Sequence, residues 1–443
     1  MIGAGAVMLL AAACWICYGS LAVYVSHRWQ VPVVAPIVVL VLLFSLWNDN
    51  HKVRTLPGAK PAPGPTFQDY YATWFSNLHA RFPNEERHPV FVISAEGGGI
   101  RAAFWTATVL ARLQDADPNF SAHVLAISGV SGGALGATVF DALVAEGNVT
   151  NYNDAAQRIL SHDFLSPALA HMLFPDICQR YLPIAVPAFD RATALEKAWE
   201  HAWRAEMNNN RFGKDFATLW AGNLKYNVPA LFLNGTSVET GQRMIASNVR
   251  IDQTFIDALD VNERLDGDMR LSTAAHMSAR FTYLSPAGRF TNGEHIVDGG
   301  YFENSGTTTA ADILDVVRAE RFRGRAVPIS IVIRNDPEDS GGNKKQNRFH
   351  EFASEGLAPL QALLHTRNAR GSYSELALNS RQGTNVINFE LMACDTPLPL
   401  GWSLSRGAID EMNRQIKSEA ADIANVIGHL PRKAEAVRTT SAR

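Results

Sequence analysis

The sequence predicts an α/β fold with a mixed, mainly parallel central sheet, preceded by two apolar segments that could form a transmembrane hairpin. Three observations carry this. Short, continuous apolar runs alternate with longer helical patterns, glycine-rich turns follow the first two of those runs, and Arg28 is the single Lys, Arg, Asp or Glu among residues 1–47. A strand that is apolar at every position is buried on both faces, as in a parallel sheet covered by helices. The 443 residues are 47% apolar and 19% charged, enough for a large core and too little charge for a disordered chain. With 40 Lys+Arg against 43 Asp+Glu, the net charge of -3 offers no basic field for phosphate backbones and argues against nucleic acid as a partner. Cys14, Cys17, Cys178 and Cys394 are too scattered for a disulfide framework or a metal cluster.

Residues 1–25 and 31–47 are the two uncharged segments. The first is long enough to cross a bilayer. The second, broken by Pro32 and Pro36, reaches roughly 25 Å at ~1.5 Å per residue, the short limit for a crossing. A secretory signal is disfavoured, because no Lys or Arg precedes the first run and that run is too long. Lys52, Arg54 and Lys60 follow the second run, so the positive-inside bias puts the main domain on the cytoplasmic side of the membrane. The anchor is read as residues 1–54 and the proline-rich stretch 55–66 as a stiff linker. The catalytic domain is read as 67–430 and the small, polar, basic stretch 431–443 as a tail.

Phe67, Tyr70, Tyr71, Trp74 and Phe75 recur at helical spacing and predict a helix over 67–81 with a ring-bearing buried face. Pro89–Ala95 reads as the first buried strand, 101–114 as a buried helix and His123–Ser128 as the second strand. Later strands are predicted at Ala230–Leu233, His295–Val297, Val327–Ile333 and Asn385–Glu390. Residues 164–189 form an apolar insert broken by four prolines, read as an apolar pocket, a cap or simply a cover of the core; 336–347 read as a polar loop.

The chemistry sits on the turns after the first two strands. Gly129-Val130-Ser131-Gly132-Gly133 has the Gly-x-Ser-x-Gly pattern, which puts a serine on a sharp strand-to-helix turn with its hydroxyl above the sheet. Gly129 and Gly133 suit an elbow in which backbone passes close to its neighbours. The bare pattern also arises as an unreactive turn; its place between an apolar strand and a small-residue helix favours Ser131 as a nucleophile. Glu96-Gly97-Gly98-Gly99-Ile100-Arg101 closes the preceding strand. Consecutive glycines expose N–H groups at a helix N-terminus, so Gly97, Gly98 and Gly99 could hold a developing oxyanion. Read instead as a dinucleotide fingerprint, the loop would need an acidic residue ending the second strand, which ends in Ser128-Gly129. Arg101 could orient the loop, meet a lipid phosphate or form a structural ion pair.

A serine hydroxyl needs a base. Asp298 ends its strand and is followed by Gly299-Gly300, which leaves a carboxylate at an uncrowded loop tip; an ordinary Asp-Gly turn reads equally well on local grounds. The histidine of a Ser-Asp-His triad would follow Asp298, as His350 or His365.

Taken together, Gly97-Gly98-Gly99-x-Arg101, the Ser131 elbow and Asp298-Gly-Gly resemble the patatin-like phospholipases over roughly residues 90–315. The resemblance implies a three-layer sandwich, Ser131 as nucleophile, Asp298 as its base without histidine, an oxyanion hole at Gly97–Gly99, and no metal or organic cofactor. It also implies a lipid acyl hydrolase of phospholipase A or lysophospholipase type with membrane lipid as substrate, and the two apolar segments add membrane anchoring with the bilayer as partner. Two departures bear on loop conformation: Glu96 stands where the family usually has Asp, and Ala102 where it usually has Gly. The alternatives are an α/β-hydrolase-type esterase with a Ser-Asp-His triad and a catalytically inactive, membrane-tethered lipid-binding protein.

Overall fold

The computed structural model describes residues 2–335 apart from 49, 59, 61, 223, 224, 282, 283 and 321, together with 366, 369–380 and 385–431. The polar loop 336–347, His350, His365 and all of the tail but Pro431 lie outside these residues. The apolar N-terminus forms α1 (Ala4–Trp29) and α2 (Val34–Phe44). At ~1.5 Å per residue α1 extends about 39 Å and α2 about 16 Å, against a hydrocarbon core of about 30 Å. Among the described residues one helix of spanning length is therefore present, and the expected hairpin of two crossings is not shown. Pro32 precedes the start of α2 at Val34, and beyond its end the chain enters the body at Asn48, which is 2% exposed beside the exposed Trp47. Val7 and Ala11 of α1 are buried.

The body is built on a nine-stranded sheet among the described residues. Its first unit runs through α3 (Phe67–Arg81), β1 (His88–Ala95), α4 (Gly99–Ala116), the single turn α5 (Phe120–His123), β2 (Val124–Val130) and α6 (Gly132–Glu146). After it come α7 (Tyr152–Leu160), α8 (Leu165–Leu173), α9 (Pro175–Gln179) and α10 (Arg191–Met207). The second half contains β3 (Ala230–Ser237), β4 (Arg243–Ser247), β5 (Ala258–Asp260), α11 (Leu271–Ser278), β6 (Gly288–Arg289), β7 (His295–Asp298), α12 (Thr307–Ala319), β8 (Ala326–Arg334) and β9 (Asn385–Glu390). Helices Arg406–Ser418 and Ala420–Gly428 close the chain. α1 lies against α8, so the apolar N-terminus touches the insert.

Strand order is β5-β4-β3-β2-β1-β8-β9, with β9, β8, β1, β2 and β3 mutually parallel. Alternate side chains of each central strand feed two cores. Phe91, Ile93, Leu231 and Leu233 join the core under α4 and α6, whereas Val90, Val92, Ala230 and Phe232 join the one under α3 and α12. This two-sided burial is why the strands read as unbroken apolar runs. Thr66 caps α3 by accepting from Asp69 N, and the predicted aromatic face is buried.

The proline-rich stretch does not run free as a spacer. Thr55 bridges Met269, Leu56 N donates to Asp268 O at 2.7 Å, and Pro65 O accepts from Arg250 N at 3.0 Å. Proline removes donors but leaves carbonyls, so the segment can dock by its remaining amides and its oxygens.

Candidate active site

The sheet itself brings the candidate residues together. β2 pairs with β3 up to Val130 opposite Asn234, and the next residue of β3, Gly235, pairs with Asp298 at the end of β7. Gly235 also pairs with Met244 of β4 on its other side, so β7 takes over the edge of β3 that β2 vacates. Ser131, one residue past Val130, therefore leaves the sheet where Asp298 arrives. A methyl placed on Gly299 would lie 3.2 Å from Val130 Cγ1, which measures how closely the two ends meet.

Ser131 has φ 51° and ψ -119°, a left-handed conformation that costs a serine free energy and is held by its surroundings. Its N–H donates to Ser278 Oγ at 2.9 Å, and that hydroxyl donates to Asn234 O at 2.6 Å. Asn234 in turn donates to Ser128 Oγ at 3.0 Å and Gly129 O at 2.9 Å, tying the elbow to β3. At Gly133 a methyl would stand 2.5 Å from Ala95 O and 2.6 Å from Glu96 O. Only glycine lets α6 start this close to the end of β1.

The glycine turn lies directly beside the serine: a methyl on Gly97 would be 3.1 Å from Ser131 Cβ. The three glycines divide their work. Gly97 N–H donates to Asn304 O at 2.9 Å and Ile100 N–H to Gly401 O at 2.9 Å. The Gly98 and Gly99 amides, at the N-terminus of α4, take no acceptor among the described residues. Gly99 has φ 59°, and a methyl there would overlap the Leu400 carbonyl oxygen.

Glu96 braces this turn from behind. Its Oε2 accepts from Asn335 N at 2.6 Å, while Asn335 Nδ2 donates to Gly97 O at 2.9 Å and Arg101 Nε donates to Asn335 Oδ1 at 3.1 Å. Arg101 also donates to Leu398 O at 3.2 Å. It thus fastens the loop to the C-terminal segment. Asp298 is 3% exposed; its Oδ1 accepts from Gly300 N at 2.8 Å, its own N–H donates to Arg280 O at 3.1 Å, and Thr236 Oγ1 donates to its carbonyl at 3.0 Å.

His123, His276, His295 and His429 take other partners. His123 sits at the far end of β2 beside Pro89 O, where burial pushes its ring down to about 4. His276 engages Glu196 through Nδ1 at 2.9 Å and Ser285 through Nε2. His295 meets Glu239, and His429 meets Asn385. Asn234, Ser278, Asn304 and Asn335 are the supporting residues that motif reading passes over. Asn335, like Glu96 and Ser131, is the first residue past a parallel strand, which is the place where an α/β sheet presents its site.

Residues 93–311 match the family model of patatin-like phospholipases. The chain carries a patatin-like phospholipase domain. The matched span contains the glycine turn, Ser131 and Asp298. Two solved structures are similar in part. VipD from Legionella pneumophila aligns over 77% of this chain and 67% of its own, with 13% identity and a TM-score of 0.34. Human GIVD cytosolic phospholipase A2 aligns over 82% of this chain and 64% of its own, with 10% identity and a TM-score of 0.42. The chain thus spans just under two thirds of that human protein. No curated protein matches it.

Proposed function

We propose that this patatin-like protein is a membrane-anchored serine lipid acyl hydrolase that cleaves carboxylic esters of phospholipids or lysophospholipids through a Ser131–Asp298 dyad. The observation that carries the reading is the end-to-end seating of β2 and β7 on one edge of β3, beneath the glycine turn. Asp298 accepts the Ser131 proton as the hydroxyl attacks the ester carbonyl, and returns it to the departing alcohol. The Gly98 and Gly99 amides meet the tetrahedral oxyanion, while Gly97, already bonded to Asn304, holds the turn in shape. One such donor lowers the barrier by about 3 kcal/mol. Water activated by Asp298 then hydrolyses the acyl-serine. None of these steps calls on a metal or an organic cofactor.

For location, a single crossing by α1 puts Arg28 on the same side as Lys52, Arg54 and Lys60, which supports a cytoplasmic catalytic domain. The contact of α1 with α8 supports the insert as the part that meets lipid, with Tyr181 48% and Ile184 67% exposed. The test is labelling with a fluorophosphonate probe together with hydrolysis of a soluble short-chain ester. Ser131→Ala should abolish both. Asp298→Asn, which keeps the Oδ1 acceptor for Gly300 N–H, should lose nearly as much. Full turnover by either folded variant refutes the dyad, and loss through a histidine variant alone puts a triad in its place.

A further inference from the structure

A buried polar strap connects the end of the apolar helices to both members of the dyad. From Asn48 onward the chain sinks into the body: Asn48 Nδ2 donates to Leu182 O at 2.8 Å, and His51 Nδ1 pairs with Asp190 Oδ1 at 2.7 Å. Arg54 then reaches α10, where its Nη1 lies 2.8 Å from Glu196 Oε2 and 3.1 Å from Glu200 Oε1. Glu196 is fully buried. Burial opposes its ionisation, but the hydrogen bond from His276 and the guanidinium groups of Arg54 and Arg280 outweigh it and hold the carboxyl below its ordinary value.

Glu196 holds α11 in turn. Thr273 Oγ1 donates to its Oε2 at 2.7 Å and His276 Nδ1 lies 2.9 Å from its Oε1; Ser272 Oγ donates to Glu200 at 2.8 Å. Every residue of α11 is buried, and the helix ends at Ser278, the acceptor for the Ser131 amide. Two residues further on, Arg280 O accepts from Asp298 N. The strap's backbone makes a second connection. Val53 N donates to Arg289 O at 2.9 Å and Arg289 N to His51 O at 3.0 Å, which adds the strap to β6, and β6 pairs with the β7 strand that ends in Asp298.

We propose that Arg54 is a positioning residue for the Ser131–Asp298 site, acting through Glu196 and α11, so that the juxtamembrane strap belongs to the catalytic apparatus. The proposal rests on the dyad reading above. Removing Arg54 leaves Glu196 buried with less positive charge beside it, and α11 must shift to rehydrate or re-pair the carboxylate. A shift of the Ser131 amide or of Asp298 then spoils the attack geometry without altering the surface that binds substrate.

The experiment compares full-length wild type, Arg54→Ala, Arg54→Lys, Glu196→Gln and Arg54→Ala/Glu196→Gln in detergent, at a temperature where near-ultraviolet circular dichroism reports each as folded. The readouts are kcat and KM on a soluble short-chain ester and the fluorophosphonate labelling rate. Arg54→Ala should lower kcat and labelling between about tenfold and a hundredfold with KM within about twofold. Arg54→Lys, which keeps the cation, should recover most of the rate. The double variant should be no slower than the slower single one, because both act on one connection. Should Arg54→Ala fail to fold, Arg54→Gln takes its place with the same expectation of slowed labelling. Labelling of a folded Arg54 variant at the wild-type rate, a change confined to KM, or additive losses in the double variant would each overturn the proposal. Wild type labelled at a residue other than Ser131 overturns the dyad reading itself, a separate result.

Discussion

Asp141 offers a quantitative test of how this core is built. It lies on α6, the helix that starts at the Ser131 elbow, is fully buried, and neither carboxyl oxygen has a hydrogen-bond partner among the described residues. Burial alone pushes its carboxyl well above the ordinary carboxylate range. The folded state therefore holds a proton that the unfolded chain releases once the pH exceeds about 4. Across that window the native state binds one more proton than the unfolded state, so stability falls as pH rises, by about 1.4 kcal/mol per pH unit, until the folded carboxyl itself titrates. Asp141→Asn keeps the shape and removes the ionisation. Its stability should match that of wild type to within a constant below pH 3.8, and should exceed it by a margin that widens as the pH rises above that value, up to the pH at which the folded carboxyl itself titrates. Urea titration read by pulse proteolysis at pH 5, 6 and 7 measures the gap, and other groups cancel in the difference. A gap that does not change with pH would mean that Asp141 is ionised in the fold and that a partner compensates it.

Two further changes probe the elbow. Gly133→Ala should cost about 2 kcal/mol in urea unfolding and abolish fluorophosphonate labelling, since the methyl would stand 2.5 Å from Ala95 O and force the start of α6 away from β1. Ser131→Gly and Ser131→Ala should both be inactive, yet Ser131→Gly should be the more stable by about 1 kcal/mol in the same titration, because glycine adopts a φ of 51° without strain.

The placement of the candidate site residues was legible in the sequence wherever one residue type is demanded by the backbone. The buried strands declared themselves as unbroken apolar runs and the elbow by its glycines, whereas Asp298 read equally well as an ordinary Asp-Gly turn and was singled out by the family resemblance. What escaped is polar and buried. α11 reads as a mixture of small, polar and apolar residues because all of its faces are covered, so no amphipathic period marks it. Residues 48–54 read as the end of the membrane anchor, although Asn48, His51 and Arg54 are bonded inside the body. β5 and β6 were missed for the converse reason: at three and two residues they are too short for a period to register. Composition misjudged the proline-rich stretch because it reports stiffness and does not report whether neighbouring carbonyls and amides are waiting to receive the chain.

The boundary between anchor and enzyme follows from where burial begins. Composition put it after residue 54 and made 55–66 the link, whereas exposure drops from 63% at Trp47 to 2% at Asn48. Deleting residues 1–47 removes the two apolar helices and keeps Asn48, His51 and Arg54 with their partners. That protein should label at Ser131 and hydrolyse a soluble ester near the wild-type rate, while losing most of its action on vesicle phospholipid, because the tether that concentrates it at the bilayer is gone. Deleting residues 1–55 takes the strap as well and leaves Asp190 without His51 and Glu196 without Arg54. Stripping one partner from a buried pair costs about 3 to 5 kcal/mol, a large part of the stability of a typical domain. The second truncation should therefore lose labelling and soluble-ester turnover together with its resistance to proteolysis. Equal behaviour of the two truncations on the soluble ester would show that the strap is only a tether, and the boundary would return to residue 54.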